Sequence, residues 1–242
     1  YPQYLALFAS PRTAMDESPG IGAKLYCLWA TLAIGLSIAL AGFTAETVTR
    51  ILVIVFLLGQ IPLHSKLANA LPWFAPRTRF IALGTGLAAI VEGFHMISMP
   101  VFLSLRIDRG MSIAEGLMCY ALDLLYTVPA YLVVFSVIWW FINRYRYPYW
   151  HYVITMGLGQ ALGDGGLLFF LSAPAMLVFL PYPMTNYHAI NVMPYLAIRE
   201  HLRDARSASA ARYLAVPALI GTYFVCGAII KIVGRAFGLE SS

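Results

Sequence analysis

The sequence predicts an all-α protein, a polytopic transmembrane bundle of about seven helices. Three observations carry this reading. Hydrophobic residues make up 60% of the 242 residues and charged residues 11%, with a mean hydropathy of +0.75. A soluble domain holds about 45–50% apolar and about 25% charged residues, so a core of this size cannot hide that much apolar surface from water. Apolar runs approaching the roughly 20 residues that a spanning helix needs recur along the whole chain. The basic residues collect in short clusters between those runs, as at Arg77/Arg79, Arg144/Arg146 and Arg199/Arg203/Arg206. This balance excludes a disordered chain, a secreted disulfide scaffold and an ordinary soluble enzyme.

The spans fall at about 23–43, 47–65, 80–104, 115–142, 149–171, 174–197 and 213–234. The second stops short of His64 and Lys66. The sixth carries Pro181 and Pro183, which break or kink a helix near one membrane face. The seventh ends near Lys231, whose long stem can snorkel to the interface. Loops are mostly under about 15 residues and there are no repeats, so residues 1–242 read as one transmembrane domain. The protein is expected to be an integral, multi-pass membrane protein, in the endoplasmic reticulum of a eukaryote or the cytoplasmic membrane of a bacterium.

The net charge of +5 does not point to nucleic acid, because these short basic clusters are the usual charge of cytoplasmic loops facing anionic lipid. Lys66, Arg77 and Arg79 share one side with Arg144, Arg146, Arg199, Arg203, Arg206 and Arg212, which puts the amino terminus inside and the carboxyl terminus outside. Arg106 and Arg109 fall on the other side. Cys27, Cys119 and Cys226 are far apart in apolar runs, without zinc or CxxC spacing, and are expected to be small buried hydrophobes.

Ionisable groups at membrane depth cost about 2.5 kcal/mol or more, so each needs a reason. The third span carries Glu92 and His95 on one helical face, and the fourth carries Asp123 with Tyr126 and Thr127 a turn on. Gln160 and Asp164 lie four residues apart in the fifth, and Asn186, Tyr187, His188 and Asn191 lie in the sixth. If these faces converge, the bundle holds a polar pocket with three carboxyl groups. A single buried Asp or Gln more often serves helix packing, and the glycines at 157, 159, 163, 165 and 166 favour that reading for Gln160 and Asp164. For Glu92 and Asp123 together, function is the stronger reading. A carboxylic acid in an apolar pocket is a general acid for an apolar substrate, and a neighbouring carboxylate or imidazole can take a proton back. Aromatic faces can stabilise a passing cation. There is no His-rich di-iron box, no P-loop and no GxSxG elbow.

Four short segments resemble the emopamil-binding protein, or EXPERA-domain, family. Gly157-Leu-Gly-Gln-Ala-Leu-Gly-Asp164, followed by a Gly-Gly-Leu-Leu-Phe-Phe run to Phe170, is similar to that family's G-Q-x-x-G-D-x-x-x-F. Val91-Glu-Gly-Phe94 is similar to its I-E-G-W, residues 121–124 with Pro129 to its M-E-T-I segment, and residues 189–192 with Leu196 to its F-M-N-A-L segment. Their order and approximate spacing agree over about residues 80–205, so the resemblance implies an EXPERA-like core, with 1–79 and 206–242 as additional helices. It implies that Glu92 and Asp123 are the catalytic acids and Asn191 the active-site amide. Ala88 and Pro194 stand where the isomerases carry histidine and tryptophan, and His95, one turn after Glu92, is placed to substitute for the first.

Together these readings predict an intramembrane acid–base enzyme acting on a sterol or terpenoid through a carbocation, with double-bond isomerisation first and a membrane terpene cyclase as the alternative. Glu92, Asp123, His95 and Asn191 are the expected catalytic residues. Tyr126, Asp164, Gln160, His188 and Tyr187 are expected to line the substrate. The expected partners are a lipid substrate and membrane lipids, with no nucleic acid; a homodimer is compatible with the sequence. No metal or organic cofactor is expected, since proton shuttling needs none. A non-enzymatic sterol binder and a proton-coupled transporter are the rival classes.

Overall fold

A computed structural model describes residues 20–68, 71–202 and 208–239. These residues form helices α1 (Ile21–Ala41), α2 (Ala45–Ala68), α3 (Pro76–His95), α4 (Ile113–Arg144), α5 (Tyr149–Ala161), α6 (Leu167–Ser172), α7 (Pro181–Ile198) and α8 (Ala215–Ala236). A π-type turn over Leu162–Gly166 joins α5 to α6 as one interrupted rod, so the bundle has seven rods and, among the described residues, no strand other than isolated bridges.

Side-chain register fixes the packing. On α3 and α4, Phe80 meets Trp139 and a Cβ on Gly84 would meet Phe135, so these helices are antiparallel. Tyr152 stacks on Tyr195 at 3.9 Å while Gly157 faces His188, which runs α5 and α7 antiparallel. Gly159 faces Leu219 and Gly163 faces Tyr223, which sets α5 and α8 parallel.

Five stretches are long and apolar enough to cross a membrane: Ile21–Ala41, Ala45–Leu63, Ile113–Arg144, Tyr149–Ser172 and Ala210–Ala236. They mark the chain as an integral membrane protein. α3 and α7 fall outside that set, and α7 is the most enclosed helix, packed by α1, α2, α3 and α5. The physical reason is direct. A helix whose neighbours are protein can carry Asn, His and Pro, because its polar groups find partners there rather than hydrocarbon.

Several expected boundaries move. The third span was expected to run to residue 104, yet α3 ends at His95, and residues 96–112 form a loop with a 3₁₀ turn at Leu103–Leu105. Pro100 removes an N–H and restricts the residue before it, which stops the helix short. The Asp123 carboxylate then holds this loop by accepting from the Val101 N–H at 2.9 Å. α4 starts on a capping box: Ser112 Oγ accepts from the Glu115 N–H at 3.3 Å, and Glu115 Oε2 accepts from the Ser112 N–H at 2.7 Å. The sixth helix begins at Pro181 rather than 174, after a 3₁₀ stretch over Pro174–Phe179. The cysteines are not core residues: Cys27 is exposed and Cys119 and Cys226 are half-buried. Arg203 and Arg206 lie outside the described residues.

Candidate functional site

Near the middle of the bundle, two carboxyl–phenol pairs face one another. Tyr131 of α4 donates its hydroxyl to Glu92 Oε1 of α3. Tyr187 of α7 donates to Asp164 Oδ2, in the break between α5 and α6, at 2.5 Å. Tyr223 of α8 donates to Gln160 Oε1 at 3.1 Å, and its ring stands edge-on to Tyr187 with centroids 6.1 Å apart. Glu92, Asp164, Tyr131, Tyr187 and Tyr223 are all within electrostatic reach of one another. Glu92 is half-buried between α3 and α4, and Asp164 is exposed at the break between α5 and α6.

Local backbone chemistry places Asp164. The helix breaks at Asp164 (φ −82°, ψ 48°) and Gly165 (φ 86°), and only a residue without Cβ enters that left-handed region at little cost. The adjoining Gly159-Gln-Ala-Leu-Gly163 run lets α8 approach closely. A Cβ on Gly163 would stand 2.8 Å from Tyr223 Cβ and 3.1 Å from Ile220 Cα, and one on Gly159 3.2 Å from Val216 Cα. The glycines therefore pack helices, as expected, and the same contact delivers Tyr223 to Gln160.

Asp123 is fully buried at 0% exposure; one carboxyl oxygen holds the Val101 N–H and the other has no hydrogen-bond partner. It remains within electrostatic reach of Glu92. His95 turns to Arg50 and Asn186, not to Glu92. Asn191 donates to its own helix at Tyr187 O, 2.7 Å away, and its Oδ1 is buried without a partner. His188 Nε2 shares a 2.5 Å hydrogen bond with Tyr26 of α1 and its ring packs on Gly157. Tyr126 packs edge-on to Phe102 at 5.0 Å, beneath the loop after α3. Glu92, Asp164, Gln160 and Tyr187 thus share one cluster, Asp123 adjoins it, and His95, His188 and Tyr126 point elsewhere.

The sequence reading missed Tyr131 and Tyr223. Among 15 tyrosines, only the neighbouring helix shows which hydroxyl meets an acid, so no pattern within one span marks them. Tyr131 lies eight residues past Asp123, on roughly the same helical face, which was the one available signal.

An apolar groove of about 470 Å³ opens between α3 and α4, lined by Ile90, Phe94, Ile107, Ile113, Leu117 and Tyr120 among others. Tyr120 donates its hydroxyl to Ala89 O at 2.6 Å and lies within electrostatic reach of Glu92 and Asp123. No group of three His, Cys, Asp or Glu side chains among the described residues is arranged to hold a metal ion. No family model, curated protein or solved structure matches the chain. The chemistry of the cluster is therefore read from its own residues. Two neighbouring carboxyls, each engaged by a phenol, can give and take a proton, with three aromatic rings at hand to face a cation.

Proposed function

We propose that the protein is an intramembrane acid–base enzyme that moves a carbon–carbon double bond in a sterol or terpenoid through a carbocation. The observation that carries this reading is that Glu92–Tyr131 and Asp164–Tyr187, from four separate elements, lie within electrostatic reach of each other in an apolar bundle. In the reaction, one carboxylic acid gives its proton to the alkene, leaving a carboxylate and a tertiary cation. A C–H next to the cation then gives its proton to the other carboxylate, and the C–H electron pair becomes the shifted double bond. No proton is gained or lost overall, and the phenol hydrogen bonds hold each carboxyl in place between steps. The faces of Tyr131, Tyr187 and Tyr223 suit the cation. The α3–α4 groove is an apolar compartment whose Tyr120 lies within electrostatic reach of Glu92 and Asp123. The ordered segments that resemble the EXPERA family support the same type of chemistry but pair Glu92 with Asp123 rather than Asp164, and a terpene cyclase would begin with the same protonation.

The test is turnover in deuterated water with a panel of sterol and terpenoid alkenes, read by mass spectrometry. Isomerisation is expected to place one deuterium in the product. Glu92→Gln and Asp164→Asn should each lower the rate by about 10²–10⁴-fold, the range for losing a general acid or base, while ligand still binds. Saturable binding with no deuterated product from any alkene would make the protein a lipid binder instead.

A further inference from the structure

Arg50 is an arginine inside α2 that is only 6% exposed, and no acidic side chain among the described residues pairs with it. Glu46, one turn earlier, is exposed and makes no ion pair with it. Arg50 Nη1 donates to Asn186 Oδ1 at 2.5 Å, and the guanidinium lies over the Tyr182 ring, 4.2 Å from its centroid. Nε is buried with no hydrogen-bond partner. His95 adjoins both Arg50 and Asn186. These are one neutral amide, one ring face and one imidazole around a full positive charge. A buried cation left without a counter-charge is costly, and proteins of this kind supply one.

The surroundings indicate which anion. Arg50 lies about 8 Å down from the start of α2, at 1.5 Å per residue, beside the first turns of α7 and the last turn of α3. That is the depth of an interface, where the polar end of an amphiphile sits while its chains stay among apolar side chains. A planar guanidinium with unused N–H groups matches the paired oxygens of a phosphate. We propose that Arg50, with Asn186, Tyr182 and His95 around it, forms a site for a phosphate oxyanion, supplied by the headgroup of a membrane lipid or by free phosphate. The site uses neither Glu92 nor Asp164, so it stands apart from the proposed reaction.

The test is thermal denaturation of the full chain in uncharged detergent at constant ionic strength. It is titrated with dihexanoyl phosphatidate, with inorganic phosphate, and with a short-chain diacylglycerol that lacks phosphate. The wild type should show a saturable rise in Tm with phosphatidate and none with diacylglycerol. A matching rise with inorganic phosphate identifies a free oxyanion as sufficient; a rise with phosphatidate alone identifies a lipid headgroup. Asn186→Asp places a carboxylate on the guanidinium and should weaken the apparent phosphatidate affinity at least tenfold. Arg50→Lys, which keeps the charge and loses the fork, should do the same and carries the comparison if Asn186→Asp fails to fold. The site is overturned if the wild type responds to neither phosphate probe, or if the variants that fold bind phosphatidate as the wild type does.

Discussion

At the scale of the residue, the three carboxyls have different employment, and single substitutions separate them. Asp123 ties the loop after α3 to α4 through Val101. An Asn there keeps an oxygen that can accept the same N–H, whereas an Ala leaves that donor without a partner. Asp123→Asn should therefore melt close to the wild type in detergent, and Asp123→Ala should lose about 1–3 kcal/mol, the cost of an unmade buried hydrogen bond. Equal stability of the two variants would show that the Val101 bond anchors nothing. The same Asn variant separates two pairings of acids. With Asp164 opposite Glu92, Asp123→Asn retains most of the deuterium-incorporating turnover; with Asp123 as the second acid, it loses turnover as Glu92→Gln does. Tyr131→Phe and Tyr187→Phe remove the hydroxyl that holds each acid and leave the ring. They should slow turnover with little change in ligand affinity, because the rings stay in place. Sequence alone marked Glu92, Asp123 and Asp164 as costly at membrane depth. It could not pair them with tyrosines, because a hydrogen bond between helices leaves no spacing within either helix.

At the scale of the element, the α5–α6 rod shows how one stretch of glycines serves both packing and chemistry. Gly159 and Gly163 admit α8, and Gly165 breaks the helix where Asp164 emerges. The two tasks can be separated. Gly165→Ala leaves the α8 contact untouched but forces a left-handed conformation on a residue with Cβ, at about 1–2 kcal/mol. It should lower turnover more than its small loss of Tm suggests, because the strain falls on the residue after Asp164. Gly163→Val acts in the reverse manner. It overpacks against Ile220 Cα and Tyr223 Cβ, costing about 1–3 kcal/mol, and should shift α8 enough to weaken the hydrogen bond from Tyr223 to Gln160. The cost can be read as a fall in Tm in detergent, and an unchanged Tm would show that α8 tolerates the larger side chain. The glycines were legible in the sequence as a packing surface, since small residues four apart do that in membranes. The break itself was not legible, because the run of Gly and Leu around Asp164 is compatible with a continuous span.

At the scale of the whole molecule, polarity is sorted from the inside outward. α7, with Asn186, His188, Asn191 and three prolines, lies at the centre, while α1 and α8 turn large apolar side chains outward. Hydropathy read the outer helices correctly because they face lipid. It set the ends of the third and sixth spans wrongly because α3 and α7 face protein, where the apolar rule relaxes and Pro100 and Pro181 decide the boundaries. The alternating helix directions make a prediction about the membrane. The loop between α3 and α4 and the connection between α4 and α5 lie at opposite ends of α4, a helix of 32 residues. At about 1.5 Å per residue that rod exceeds the roughly 30 Å of hydrocarbon it must cross. Arg109 and Arg146, both exposed, mark the two ends. Single cysteines at these positions, in a chain with Cys27, Cys119 and Cys226 replaced by Ser, should react with an impermeant maleimide from opposite sides of sealed vesicles. The Lys/Arg bias assigns the cytoplasmic side to Arg146, because Lys66, Arg77, Arg144, Arg199 and Arg212 flank the same face. Labelling of both cysteines from one side would mean that α4 does not cross the bilayer, and the bundle would then have to meet lipid along a face rather than through it.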